Sequence, residues 1–301
     1  MTIDIQEDVL ESLKSTLENA DFKKALKIIN DNNIEPNSKI KGKDGILSFA
    51  INNSNENNQE ELNNFIIELH NKGMDLDESN KNEDTPLLFT AISYNNPKLT
   101  EMLLSTNNYS KEDAILSLHL VCDGLVDFKT FLPVYSKFSE YVDEKNIYGD
   151  SVISNIAGKN YKGVENKLFS LLRASEDKES INFKGQNSLF QAVETGTAYT
   201  TKLLLSVNIN VNHLDKYDRN ALFRVDGENE VDIKAKLKYL VEAGINTEQL
   251  NKSNKSAFDV NDKITPYRDW VKTIQDKMND PKDLFETIIS ESSQRKRNSM
   301  R

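Results

Sequence analysis

The sequence is poor in the residues that make crosslinks, corners and thick cores. It holds one cysteine, Cys122, in 301 residues. No intrachain disulfide can form, and a reducing interior is the natural setting. Cys122 ends the run Leu118-His119-Leu120-Val121-Cys122 and reads as a buried structural thiol. The chain has 11 glycines and 6 prolines. Positions with positive φ and rigid corners must therefore be few, which disfavours a sandwich or barrel. Hydrophobic residues make up 37%, below the usual share for a globular domain. That share suits a thin body in which each segment touches only its neighbours. No run approaches 18 apolar residues, so no transmembrane helix is expected. The segment Met1–Asp8 has neither a basic n-region nor an apolar h-region, so no secretory signal peptide is expected.

Clustered positive charge is lacking as well. Net charge is -10, whereas general nucleic-acid binding needs grouped Lys and Arg to neutralise phosphates. The acidic balance suits a basic partner, and equally a chain that stays dispersed.

The groupings that carry chemistry are also missing. His70, His119 and His213 fall in separate segments, so no shared zinc site is expected. Gly158-Lys159 and Lys162-Gly163 lack the surrounding glycines of a phosphate loop, and there is no nucleophile elbow. No metal, cofactor or catalytic residue is expected, and the chain reads as a non-enzyme.

What the sequence does have is repetition. The clearest unit runs Leu203-Leu204-Leu205-Ser206-Val207-Asn208-Ile209-Asn210-Val211-Asn212, then His213-Leu214-Asp215-Lys216-Tyr217-Asp218-Arg219-Asn220-Ala221-Leu222-Phe223. An apolar helix end meets Asn208, a residue that tolerates the left-handed region. A short extended piece and a polar turn follow, and a new helix starts at Asn220. Related runs lie at Leu69–Leu88, Tyr141–Ile153, Ile181–Phe190 and Leu240–Phe258, with a first copy at Asp44–Ala50. Leu47, Leu87, Leu116, Ile153, Leu189, Leu222 and Phe258 are the equivalent apolar positions. Their spacings of 40, 29, 37, 36, 33 and 36 fall in the range of helical arrays.

These runs resemble the ankyrin repeat, whose turn and first helix read Asp-x-x-Gly-x-Thr-Pro-Leu-His and whose second helix ends Leu-Leu-x-x-Gly-Ala-Asp-Val-Asn. Leu203–Phe223 matches nearly position by position, with Asn208 and Asp218 in place of the two glycines. Both types tolerate positive φ, so the geometry should survive. The resemblance covers about residues 20–262. It departs from the motif in two ways. Only Thr85-Pro86 keeps the Thr-Pro step. The motif histidine is replaced by Ser48, Leu88, Ser154, Phe190, Phe223 and Asp259, so a weakened polar network between turns is expected. Asn107–Lys111 is too short for a hairpin, which predicts a break or kink there.

The expected architecture is all-α: an ankyrin-like helical repeat solenoid with N- and C-terminal capping helices. Residues 1–40 form the N-terminal cap, carrying Leu10, Leu13, Leu17, Phe22, Ala25, Leu26 and Ile29 at helical spacing. Repeats span 41–262, irregular near 105–145, with a polar helix–helix loop at Asn52–Gln59. Residues 263–290 are closing helices, from Tyr267 to Met278 and Leu284 to Ile289, with Trp270 plugging the last repeat. Residues 291–301 form a basic disordered tail, whose Arg295-Lys296-Arg297 could serve as a nuclear-localisation or anionic-membrane patch. The abundant Asn and Lys read as compositional bias.

The resemblance implies a partner protein held on the concave face lined by turn tips and first helices. Transferred residue by residue, the tips are Lys81, Asn82 and Asp84; Ile147, Tyr148 and Asp150; Phe183, Lys184 and Gln186; Lys216, Tyr217 and Arg219. First-helix positions in the groove are Ile92, Ser93, Glu194 and Thr195. Ile147, Tyr148, Phe183 and Tyr217 are notable because turn tips have little core to fill, and aromatics and Arg dominate interface energetics. A monomer is expected, in the cytoplasm or delivered into a host cell without a signal peptide, as an effector or as an immunity or regulatory partner. The competing readings are a scaffold for a cryptic activity in 105–145 or the C-terminal helices, and self-association through an open stack end.

Overall fold

The computed structural model describes residues 7–41, 44–55, 57–76 and 86–279. The chain divides into two units, Met1–Tyr141 and Val142–Arg301. The first unit runs α1 (Glu7–Glu18), α2 (Phe22–Asp31), β1 (Lys39–Lys41), β2 (Asp44–Gly45), α3 (Ile46–Asn52), α4 (Gln59–Asn71), α5 (Leu87–Ser93), α6 (Pro97–Thr106), α7 (Lys111–Leu120) and α8 (Phe128–Phe138). The second runs α9 (Val152–Ala157), α10 (Val164–Ala174), α11 (Ser188–Glu194), α12 (Ala198–Ser206), a 3₁₀ turn at Ala221–Arg224, α13 (Glu230–Glu242), α14 (Ala257–Val260) and α15 (Arg268–Asn279). The β1–β2 ladder is antiparallel.

One helix pair recurs. Its first member is short, as in α3, α5, α9 and α11, and its second is longer. Helices of two turns are unstable alone, so the first members exist because both ends of their sequence are fixed. A side-chain N-cap starts only some of them: in α9 the Ser151 hydroxyl accepts from the Ser154 amide, and at the 3₁₀ turn the Asn220 side chain accepts from the Leu222 amide, whereas α3, α5 and α11 have no such bond. Burial holds them. Ile46, Leu47, Ala50 and Ile51 of α3 are buried, as are Leu87, Leu88, Ala91 and Ile92 of α5. The second helices supply the apolar stripe, with Leu168, Leu171 and Leu172 on α10 and Ile233, Leu237, Leu240 and Val241 on α13. Each fully buried leucine contributes roughly 1.5–3 kcal/mol.

Pairs stack like on like. In the first unit α1 packs on α3, α2 on α4, α5 on α7 and α6 on α8. In the second α9 packs on α11, α10 on α12, α12 on α13 and α13 on α15. The N-terminal pair is therefore stacked as a repeat would be, with Leu13, Leu17, Phe22, Ala25 and Ile29 inward. The loop between α3 and α4 falls where its polar composition placed it. Asn208 and Asp218 do adopt positive φ, at 59° and 60°. Cys122 is buried, its thiol 3.2 Å from the Leu118 carbonyl oxygen.

Three expectations are corrected. Leu116 is not a core position: it is 46% exposed. Helix α7 follows α6 through residues 107–110 with no hairpin between them, and its inward residues are Ala114, Ser117 and Leu118, then Val121 and Cys122. At 100° per residue that face excludes 116. Trp270 does not plug the last repeat. It is half-buried, stacks edge-on to Tyr267 at 6.4 Å and lies under the Lys234 ammonium, while Val271 and Ile264 fill the core. The helix begun at Asn220 is one 3₁₀ turn, ended by extended Val225 ahead of Asp226-Gly227. Leu284–Ile289 and the basic tail lie outside the described residues.

Asparagines at positions other than that of the motif histidine bond between repeats. Asn212 donates to the Gly244 carbonyl at 3.0 Å and accepts from the Asn246 amide at 2.7 Å. Asn37 makes the same two bonds to Gly73 and Asp75. Asn220 donates to the Asn246 carbonyl at 2.8 Å, and Asn96 to the Asn63 side chain at 2.9 Å. Lys236, fully buried, donates to the Asp226 carbonyl at 2.7 Å and pairs with Asp232 at 2.9 Å. Asp232 in turn accepts from the Ala198 amide at the start of α12.

Replacing Asn220 by Ala removes the cap of the Ala221–Arg224 turn and the shorter of the two hydrogen bonds to the Asn246 carbonyl, leaving it the 3.5 Å bond from the Gln249 amide. The expected loss is about 2 kcal/mol of unfolding free energy, read from denaturant midpoints. A change under about 0.5 kcal/mol would show that water takes over both bonds.

Candidate functional site

The second unit presents four turns built alike. In the first, Asn146 Oδ1 accepts from the Tyr148 and Asp150 amides at 2.9 and 3.1 Å. Asn182 accepts from Lys184 and Gln186 at 2.9 and 3.1 Å. Asp215 accepts from Tyr217 and Arg219 at 2.8 and 3.1 Å, and Asn251 from Ser253 and Lys255 at 2.9 and 3.1 Å. Three residues after each of these stands a left-handed residue: Gly149 at φ 77°, Gly185 at 74°, Asp218 at 60° and Asn254 at 56°. The side chain thus imitates a backbone turn, and the positive φ closes it.

Main-chain bonds tie the second turn to the third and the third to the fourth, and side chains tie the first to the second. The Lys216 amide donates to the Lys184 carbonyl at 3.3 Å, and the Lys252 amide to the Tyr217 carbonyl at 3.1 Å. Lys145 Nζ donates to the Ile181 carbonyl at 2.6 Å, Asn182 to the Asp150 carboxylate at 3.1 Å, and His213 Nε2 sits 2.8 Å from the Gly185 carbonyl. The backbones of this row are consequently held in place, while the tip side chains are left in water. Ile147 is 86% exposed, Tyr148 69%, Phe183 67% and Tyr217 59%.

Two tips also lean on local partners. The Phe183 ring lies over Gly149, where an added Cβ would meet it at 2.7 Å. Arg219 lies 4.7 Å from the Tyr217 ring centroid while its Nε and Nη2 hold Asp215 Oδ2 at 2.9 and 2.7 Å. Burial pushes the Asp215 carboxyl up, but the Arg219 side chain and the Tyr217 and Arg219 amides outweigh it, so its pKa lies below the ordinary value.

Most of the expected residues come together on this row. Lys184 and Lys216 are exposed beside the aromatic tips, and Asp150 and Arg219 brace the turns. Glu194, at the end of α11, pairs with Arg224; Thr195 and Ser93 are exposed. Two expected residues are buried instead. Gln186 is 2% exposed and Ile92 is 0%: the first lies at the base of its turn, the second on the inward face of α5. Lys81, Asn82 and Asp84 lie outside the described residues. Sequence reasoning missed Arg224 and the residues just before three of the four turns, Ile181, Leu214 and Leu250, which are 43%, 40% and 48% exposed. Their signal was an apolar residue preceding Asn182, Asp215 and Asn251; Lys145 precedes Asn146. Among the described residues no group of His, Cys, Asp or Glu is placed to hold a metal ion, and no helix is long and apolar enough to cross a membrane.

No family model and no curated protein matches the sequence. Solved structures do match. The ankyrin repeat domain of Bcl-3, a unique member of the IkappaB protein family, aligns at a TM-score of 0.54 and 19% identity, over 72% of this chain and 93% of that one. The fold is the ankyrin-repeat fold. An ankyrin repeat protein, EF0377, aligns at a TM-score of 0.48 and 17% identity, over 63% of this chain and 94% of that one. In ankyrin terms the four turns are the fingers, and α9 and α11 are first helices beneath them.

Replacing Asp215 by Asn keeps the turn, since Asn146, Asn182 and Asn251 already do that work, but removes the ion pair. The expected cost is about 2 kcal/mol at neutral pH. Because the folded pKa is depressed, this contribution is complete above the ordinary value near pH 4 and fades as pH falls through the folded value. Denaturant melts of both chains between about pH 7 and pH 2 should therefore converge at the acid end. A constant gap would show that charge plays no part.

Proposed function

We propose that the protein is a non-catalytic interaction module that holds a partner protein on the finger face of its second unit. The observation that carries this is the exposure of Ile147, Tyr148, Phe183 and Tyr217 on a row of hydrogen-bonded turns. A large apolar side chain in water contributes nothing to folding, while the braced turn spares it the ordering cost that binding would impose. The ankyrin fold supports the reading, because stacked repeats offer one extended face. Lys184, Lys216, Arg219 and Glu194 would lie at the margin of the contact, and Ile181, Leu214 and Leu250 would extend it. Lys81, Asn82 and Asp84 remain proposed contacts of the corresponding finger in the first unit.

A cytoplasmic setting, or delivery into a host cell by a route that needs no signal peptide, accords with one buried thiol and the absence of a long apolar helix among the described residues. An effector and an immunity or regulatory partner are the roles we propose for it, with the chain itself monomeric. The interior of the irregular region is packed with apolar side chains, Leu118, Phe131, Val134 and Phe138 among them.

The double variant Tyr148→Ala/Tyr217→Ala should keep its helical circular dichroism and lose at least about 2 kcal/mol of affinity for a stoichiometric partner recovered by pull-down. Affinity unchanged by the pair would remove the finger face from the interface.

A further inference from the structure

In the second unit the first helices run from the fingers to short connections that lead into the second helices. These connections differ in length. Residues 158–163 join α9 to α10, and residues 225–229 join the 3₁₀ turn to α13, but only residues 195–197 join α11 to α12. The short middle connection is packed closely on both neighbours. A Cβ added at Gly196 would come 2.1 Å from the Ala157 carbonyl oxygen, and one added at Gly158 would meet Thr195 Oγ1 at 2.7 Å. On the other side the Ala198 amide donates to Asp232 Oδ1 at 2.9 Å.

The two longer connections meet across it. Asn160 Nδ2 donates to Glu228 Oε1 at 2.7 Å, between residues 68 apart in the chain. In a stacked array each repeat ordinarily touches only the next. This bond joins the first of three repeats to the third. Both partners stand on loops that are themselves held. The Asp226 amide donates to the Val193 carbonyl at 3.0 Å, and the Asp226 carbonyl accepts from buried Lys236 at 2.7 Å. The Asp226 carboxylate lies 3.6 Å from the Lys263 ammonium, and Arg224 beside it pairs with Glu194. In the Asn160 loop the Lys159 amide donates to the Ile156 carbonyl at 3.0 Å, and the Val164 amide to the Tyr161 carbonyl at 3.3 Å.

We infer that Asn160 and Glu228 form a strap over the α11–α12 connection, which makes these three repeats open together rather than singly. Where repeats touch only their neighbours, stability is a sum of repeat and nearest-neighbour terms, and a repeat can open on its own. A bond between second neighbours is lost whichever of the three repeats opens, so its free energy opposes every local opening. The fingers of the same three repeats carry Ile147, Tyr148, Phe183 and Tyr217 and are bonded to one another. The strap therefore holds at the far ends of the first helices what those bonds hold at the near ends. It does so whatever the fingers bind.

Hydrogen–deuterium exchange of the full chain, read by mass spectrometry, tests this on the unaltered protein and two variants. Asn160→Asp sets a carboxylate against Glu228. Adding Glu228→Gln reverses the roles, so that an amide again donates to a carboxylate. Both residues are exposed, so both variants keep the fold. Asn160→Asp should speed exchange in α11, in α12 and over residues 225–233 by at least about threefold, and the double variant should return it to within about twofold of the unaltered protein. Faster exchange confined to residues 158–164 overturns the inference, because the bond would then brace only its own loop. Exchange unchanged throughout overturns it too, as does a double variant that exchanges as fast as the single one.

Discussion

A single side-chain oxygen at the start of each finger sets the geometry of the second unit. Asn146, Asn182, Asp215 and Asn251 each accept two backbone amides across a tight turn. Without that acceptor two amides per turn would face water or nothing. The turn would be free to open, and the next N-cap would lose its place. Ser151, Asn187, Asn220 and Ser256 each follow five residues after the acceptor, and each starts a helix too short to form alone. Turn, cap and first helix thus stand or fall together.

The same constraint explains how apolar side chains come to be displayed. A finger closed by its own polar groups needs nothing from its tip residues. Those positions are released from folding, and here they hold isoleucine, tyrosine and phenylalanine. The main-chain bonds between fingers and the Arg219–Asp215 pair then limit the motion of the display. Rigidity of this kind lowers the entropic cost of binding without adding a contact.

Much of the fold was legible because it is local. Helical spacing, a left-handed residue after the second helix and a polar turn before the first recur in the chain, and Asn208 and Asp218 were readable as positive-φ positions from their chemistry alone. The misreadings share one cause. Leu116, Ile92 and Trp270 were placed by analogy of position, whereas burial depends on which way a helix is turned about its axis. In α7 the missing hairpin shifts that turn, and in α15 Val271 takes the inward place beside Trp270. Gln186 was misread because a turn has a base as well as a tip. The asparagines looked like bias because their partners lie a whole repeat away: Asn212 with Gly244 and Asn246, Asn37 with Gly73 and Asp75.

The sequence by itself determined the repeating unit: its period, its turn acceptors, its left-handed closures and the apolar residues at its tips. These are interactions within about ten residues, and their chemistry is written in residue type. Only the tertiary structure decided which face of each helix turned inward and which asparagines bridged repeats. It also showed that Ile147, Tyr148, Phe183 and Tyr217 stand exposed on turns that are bonded to their neighbours. Those outcomes depend on the stacking of one repeat on another, where a rotation of 100° per residue converts a small change of register into the difference between core and surface.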